Sequence, residues 1–403
     1  MSIKERFLTY VSYDTQSDEF STTVPSTLKQ RLLGEHLVNE LKTIGVDAHL
    51  DQFGYVYGFI PSSEHNAKTI GLIAHMDTAT EISGKCVLPQ IIPNYQGQDI
   101  HLKDDLFLTV KDFPNLKKYV GHELITTDGS TLLGADDKAG IAIIMETVFR
   151  LLKGNYSFPN LVVVFTPDEE IGKGTDHFNY NLKLDFAYTI DGNDIDHINF
   201  ENFSAYSAEV LIKGRSIHPG AAKGKMLNSA LVAMEFQTML PTFDNPAYTE
   251  KYEGFNHLTN INGTVSNTKM HYILRNHDET KLVAQINIFK AITSFLNQKY
   301  GEQTVTLHIK ESYRNMRPLI LKQPSILEYP IKALKKVGLN PSFEPTRGGT
   351  DGARLSFGGI LCPNLGTGSG NHHGPYEFAS VDAMEKMVEV LIAMMEIITK
   401  DVV

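Results

Sequence analysis

Three short runs in the first half of the chain are apolar along nearly their whole length: TIGLIAH (69–75), NLVVVFTP (160–167) and FAYTID (186–191). A strand with one face in water alternates polar and apolar residues. A strand without that alternation has both faces buried, which is the usual position inside a parallel sheet covered by helices. Between the first two runs lies KAGIAIIMETVFRLLK (138–153), with the spacing of an amphipathic helix. A further helical pattern, LKQRLLGEHLVNELKTI (28–44), stops at Gly45. Strand, helix and strand in this order predict an α/β domain with a largely parallel central sheet flanked by helices.

The rhythm changes from residue 206 to 312. YSAEVLIKG reads as a strand, MLNSALVAMEFQTML as a helix, and INGTVS with KMHYILRNHD as an adjacent strand pair. A long helix follows, begun by Asp278 and ended by Gly301, and TVTLHIKES is a last strand. The order βαββαβ is the split-βαβ, ferredoxin-like pattern. The chain is therefore expected to hold a first domain at 1–205, an inserted α+β domain at 206–312, and the rest of the first domain at 313–403. SILEYPIKALKKVG and VDAMEKMVEVLIAMMEIIT are its closing helical patterns.

Charge and cysteine content narrow the function. Lys and Arg number 37 against 47 Asp and Glu, a net charge of −10, with no basic stripe. Nucleic acid and anionic membranes are poor partners for such a surface. Two cysteines in 403 residues, Cys86 and Cys362, exclude a disulfide scaffold and a Cys-rich zinc module. They fit a reducing cytoplasm. The N-terminal MSIKERFLTYVSYDTQSDE reads as a helix start rather than a signal peptide.

Five segments place acids or histidines where an open α/β sheet collects its ligands, beyond the carboxyl ends of strands or in adjoining loops. In IAHMDTA, His75 and Asp77 are two apart and face the same way on an extended backbone, as a metal-binding imidazole and its orienting acid would. A surface turn has the same composition. In LLGADDKAGIA, Asp136 and Asp137 open the amphipathic helix, where both would also serve as caps. In VVVFTPDEEIG, Asp168, Glu169 and Glu170 follow an apolar strand; a solvated charge run is the plain alternative. Asp191 ends a strand before Gly192, as an Asp–Gly turn also would. His372 and His373 lie in the glycine-rich GTGSGNHHGPYEF, able to wrap a ligand or simply to face water.

Each segment alone is weak, but together two histidines and at least three carboxylates form a ligand set for a pair of first-row divalent ions. Charge supports the count. Two Zn²⁺ carry +4, which Asp136, Glu170, Asp191 and one hydroxide neutralise, leaving Glu169 free as a base.

In this order, HMDTA, GADDKAG, PDEEIG, IDG and HHGPYEF resemble the co-catalytic zinc metallopeptidases of the carboxypeptidase G/aminoacylase/dipeptidase type. That family also carries an inserted lid. IIPNY, GHELITTDGSTLLGADDKAG, RSIHPGAAKGKMLNSA, MHYILRNHD and RGGTDGARLSFGG are similar to its tripeptide aminopeptidases, and the resemblance runs from the first helix to the last. It implies that Asp136 bridges two Zn²⁺, that His75 and Asp191 complete one site, and that Glu170 and His373 complete the other. It further implies that Asp77 orients His75, that Glu169 is the general base, and that His218 in the lid polarises the scissile carbonyl. The substrate would be a small peptide, and a homodimer through the lid is the family expectation. Arg275 and Arg347 are the candidate cations for a peptide carboxylate, because a guanidinium grips it bidentately; a structural salt bridge is the alternative for each. Two other readings stand beside this one: a related dizinc dipeptidase, carboxypeptidase or aminoacylase, and a non-catalytic metal- or peptide-binding protein.

Overall fold

The computed structural model of the chain describes residues 1–62, 64 and 66–401. It divides into two compact units: residues 1–200 with 316–344 and 350–403, and residues 201–315 with 345–349. The expected insert at 206–312 lies inside the second unit, which also takes in the residues that flank it and the short return at 345–349.

The first unit is built on an eight-stranded mixed sheet. Asn160–Thr166, Thr69–His75, Phe186–Gly192 and Asn364–Gly366 lie side by side and parallel. Antiparallel strands flank them, Val56–Ile60 with Asp47–Leu50 on one side and His197–Asn199 on the other, where Ser342–Phe343, parallel to His197–Asn199, forms the edge. The apolar runs are buried on both faces. Ile70, Leu72, Leu161, Val163 and Phe165 pack into the larger core with the helices Ile3–Val11, Gln30–Thr43, Ala135–Lys153, Ser325–Lys336 and Val381–Lys400. Ile73, Val162 and Val164 point the other way, into a smaller core with Leu355 of the short helix Asp351–Phe357. The period of two therefore sorts each strand between two cores rather than between core and water.

Local signals fix the ends of these elements. Ser2 and Glu5 form a reciprocal capping box that starts the first helix. Gly140 lets the helix Ala135–Lys153 lie directly on the sheet: a Cβ there would sit 1.9 Å from the carbonyl oxygen of Ile190. A second, four-stranded sheet, made of Pro89–Ile92, Leu124–Thr127, Ser369–Gly370 and Phe378–Ser380, joins the stretch after His75 to the C-terminal histidine loop.

In the second unit, Ser204–Lys213, Phe255–Gly263, Asn267–Asn276 and Val305–Tyr313 form an antiparallel sheet. In chain order its strands are arranged second, third, first, fourth, and the helices Ser229–Thr238 and Glu279–Tyr300 pack on it through Phe236, Phe289 and their neighbours. This is the βαββαβ order expected of a ferredoxin-like fold. Asp278 caps the longer helix by accepting from the backbone N–H groups of Thr280 and Lys281. No helix among the described residues is long and apolar enough to cross a membrane.

Candidate metal centre

The carboxyl ends of three neighbouring parallel strands deliver most of the expected residues to one place. His75 is the last residue of its strand, Asp191 lies at the end of Phe186–Gly192, and Asp168–Glu170 follow Asn160–Thr166 directly. His75 Nε2 lies 2.9 Å from Asp136 Oδ1 and 3.6 Å from Asp191 Oδ1. The other oxygen of Asp136, Oδ2, lies 3.5 Å from His373 Nε2, which is 3.0 Å from Glu170 Oε2. Contacts therefore run from Asp191 through His75, Asp136 and His373 to Glu170, with the two oxygens of Asp136 facing two different histidines.

The adjacent aspartates face different ways. Asp137 turns inward: its carboxylate accepts from the backbone N–H of Gly140 at 3.1 Å and of His75 at 3.2 Å. It thus caps the helix and fixes the end of the strand. Asp136 is left to face the histidines.

Asp77 does more than face His75. The His75 Nδ1 is nearest the backbone carbonyl of Asp77, at 3.0 Å, with the carboxylate at 3.4 Å. The Asp77 carboxylate accepts instead from the backbone N–H groups of Glu169 (3.0 Å) and Glu170 (3.1 Å), and from the hydroxyl of Ser17. One buried acid so ties the first histidine to the glutamate pair.

Two supporting acids were not anticipated in these roles. Asp168 sits in the left-handed region (φ +59°) and is held by the Ser26 backbone N–H at 2.6 Å, the Ser26 hydroxyl and Gln30 Nε2 at 2.7 Å. Glu377 accepts from the N–H groups of Leu133 (2.7 Å), Gly134 (2.8 Å) and Asp136 (2.9 Å), and so shapes the turn that presents Asp136. The only signals for them in the sequence are an acid against an apolar strand and an acid between two aromatic residues.

The electrostatics are those of crowded buried acids. Burial, with Asp136 close by, pushes the Glu170 carboxyl up to about 7. Burial and the neighbouring Asp351, Asp191 and Glu170 carboxylates push Glu169 well above its ordinary value, outweighing the opposite pull of His75. Burial likewise raises Asp191, with Asp136 adding to it. Hydrogen bonding to Asp136 and Glu170 raises His373 to about 12. Burial opposes a charge on His372, yet the Asp136 carboxylate beside it takes it up to about 9.

The donor set suits divalent cations. Glu170 Oε1 is buried and accepts no hydrogen bond among the described residues. An unsatisfied buried carboxylate oxygen is costly unless a cation meets it. Donor atoms of His75, Asp136 and Glu170 lie within 4.8 Å of one another, as do those of His75, Asp137 and Asp191. Imidazole and carboxylate together suit zinc and its first-row neighbours. His372 is also close: its Nδ1 lies 3.2 Å from Asp136 Oδ2 and its Nε2 lies 2.8 Å from the Ser369 hydroxyl.

His218, Arg275 and Arg347 belong to the second unit. His218 is exposed, and its Nδ1 accepts from the Gly220 backbone N–H at 3.2 Å. Arg275 lies 5.0 Å from the Tyr313 ring centre and donates to the Leu274 carbonyl at 3.1 Å. The Arg347 guanidinium lies near the Phe203 and Phe255 rings, at 5.1 and 5.6 Å. It donates to the carbonyls of Lys251, Glu253 and Thr249 and to the Thr249 hydroxyl, all neutral acceptors.

Comparison with known proteins identifies the family. The sequence profile of Peptidase family M20/M25/M40 matches residues 127–397. A protein named Peptidase T from Caldanaerobacter subterraneus is 48% identical, covering 99% of each chain. One of the same name from Halothermothrix orenii is 47% identical over 98% of each. Among solved structures, the aminopeptidase PepT of Bacillus cereus superposes with a TM-score of 0.78 at 20% identity, over 98% of each chain. A Bacillus subtilis protein described as a dinuclear metal binding peptidase of the M20 family has a TM-score of 0.67 at 13% identity, over 99% of each. The chain belongs to peptidase family M20/M25/M40, within its peptidase T group, and is an enzyme that hydrolyses peptides.

Proposed function

We propose that the enzyme is a dizinc aminopeptidase that removes the N-terminal residue of tripeptides, working on small peptides in the cytoplasm. The observation that carries the reading is Asp136, whose Oδ1 faces His75 and whose Oδ2 faces His373 as well as His372, with Asp191 beside His75 and Glu170 beside His373. In this reading His75, Asp136 and Asp191 would hold one Zn²⁺, and Asp136, Glu170 and His373 would hold the other. Bound zinc supplies a Lewis acid for the carbonyl and lowers the pKa of water towards ~7.

Glu169 is the general base. It takes the proton of the attacking water and passes it to the leaving nitrogen. Its support is positional: it stands beside a proposed ligand and its backbone is pinned by Asp77. His218 is the donor to the developing oxyanion. Its Nδ1 accepts from Gly220, so a neutral ring carries its proton on Nε2, free to donate. Arg275 and Arg347 are the candidate grips for the peptide carboxylate. The four terminal N–H groups of Arg347 already donate to neutral oxygens, so its charge is uncancelled but a bidentate grip requires it to exchange some of these bonds. A homodimer through the second unit completes the reading.

His218→Ala should keep its zinc and its fold and lose on the order of 10²–10³ in kcat. Steady-state kinetics and zinc analysis on one sample check this, and near-wild-type turnover removes His218 from the mechanism. The substrate class is tested with di-, tri- and tetrapeptides bearing free or acetylated amines. Fastest release of the first residue from free tripeptides is expected. Preference for acetylated substrates, or release of the last residue, assigns the chain to the aminoacylase or carboxypeptidase type instead.

A further inference from the structure

His75 is buried and braced from behind by Asp77, whereas His373 sits in a glycine-rich loop at φ +63° with 41% of its side chain exposed. A ring so placed needs something to set its direction if it is to ligate. Its Nε2 faces Glu170 Oε2 and Asp136 Oδ2, at 3.0 and 3.5 Å. Its other nitrogen, Nδ1, lies 3.3 Å from Glu81 Oε1.

We propose that Glu81 is the positioning residue of His373: its carboxylate accepts the Nδ1–H and keeps the Nε2 lone pair turned towards the second metal. The proposal rests on the reading of His373 as a ligand. A ligating imidazole that donates its other N–H to a carboxylate has its tautomer and orientation fixed and its basicity raised. Among the described residues, His373 is the only hydrogen-bonding or ion-pair partner of the Glu81 carboxylate. An exposed ion pair of this kind adds little to folding, so a fall in metal affinity on its removal would not be a folding effect.

The backbone around Glu81 is built to hold it. Gln16 Nε2 donates to the Ala79 carbonyl at 3.2 Å and the Ile82 carbonyl at 3.0 Å, one on each side of Glu81. The segment from His75 to Glu81 would then serve both metals: it supplies one histidine, that histidine's support, and the support of a second histidine 292 residues away.

The test is Zn²⁺ titration of the metal-free enzyme in competition with a chromophoric chelator, on wild type, Glu81→Ala, Glu81→Gln and His373→Ala. In Glu81→Ala one of the two zinc affinities should fall by about 10–100-fold with the other unchanged. Glu81→Gln keeps a carbonyl acceptor and should recover most of the loss. Thermal unfolding of the metal-free variants should match wild type. If both affinities in Glu81→Ala equal wild type while His373→Ala loses one zinc, the proposal is overturned and the ligand reading stands. If His373→Ala keeps both zincs at full affinity, both fail. A raised KM for a tripeptide with both affinities unchanged also overturns it, and assigns Glu81 to the substrate amine.

Discussion

Glutamine in place of Glu169 is expected to lower kcat by about 10²–10⁴ with both metal ions still bound. Glu169 has no place in the proposed ligand set, while Glu170, its neighbour, faces His373. The amide retains the shape and the backbone N–H that Asp77 holds, so the turn should survive. What it loses is the ability to take a proton from water and return it to nitrogen. Because the missing interaction exists only in the transition state, KM should change little. Zinc analysis beside the kinetics separates the outcomes: loss of a metal ion means that the two glutamates have been assigned the wrong way round.

Asp136→Asn should have the broadest effect on metal. In the proposed centre its two oxygens serve different ions, so both affinities should fall together. The fall should be at least the ~10–100-fold that follows loss of an outer-shell partner, and activity should vanish with it. Asp137→Asn is the control. Its carboxylate is taken up by the N–H groups of Gly140 and His75, and an asparagine oxygen can still accept one of them. That variant should lose about 0.5–2 kcal/mol of stability and bind metal more nearly normally. Equal metal loss in the two variants, or loss only in the Asp137 variant, contradicts the choice of Asp136.

How much of this was legible in the sequence follows from how local each signal is. Thr69–His75 and Asn160–Thr166 begin where the apolar runs begin, because strands buried on both faces leave no polar interruption. The helix Glu279–Tyr300 was bounded by its own caps, Asp278 and Gly301. The second sheet of the first unit was not legible. Its strands are two to four residues long, too short for a period to show. Phe378–Ser380 pairs with Leu124–Thr127, some 250 residues away in the chain.

The same division holds at the site. The acids and histidines stood out by type, and their motifs fixed an order. What the sequence could not show was which of two adjacent aspartates turns inward, since capping favours both. The hydrogen bonds of Gly140 and His75 to Asp137 decide it. The supporting roles of Asp168 and Glu377 were not legible because their partners are backbone N–H groups and residues such as Gln30, which carry no chemical signature of a site. The dual duty of Asp77 is likewise tertiary: its contacts to Glu169 and Glu170 span more than ninety positions.

The central claim, two metal ions joined by Asp136, is tested most directly by anomalous scattering at the zinc edge from crystals of the zinc-loaded enzyme. The account predicts two peaks per chain, one beside His75 and Asp191 and the other beside Glu170 and His373, with Asp136 touching both. A single peak, or two peaks of which Asp136 touches only one, would contradict it.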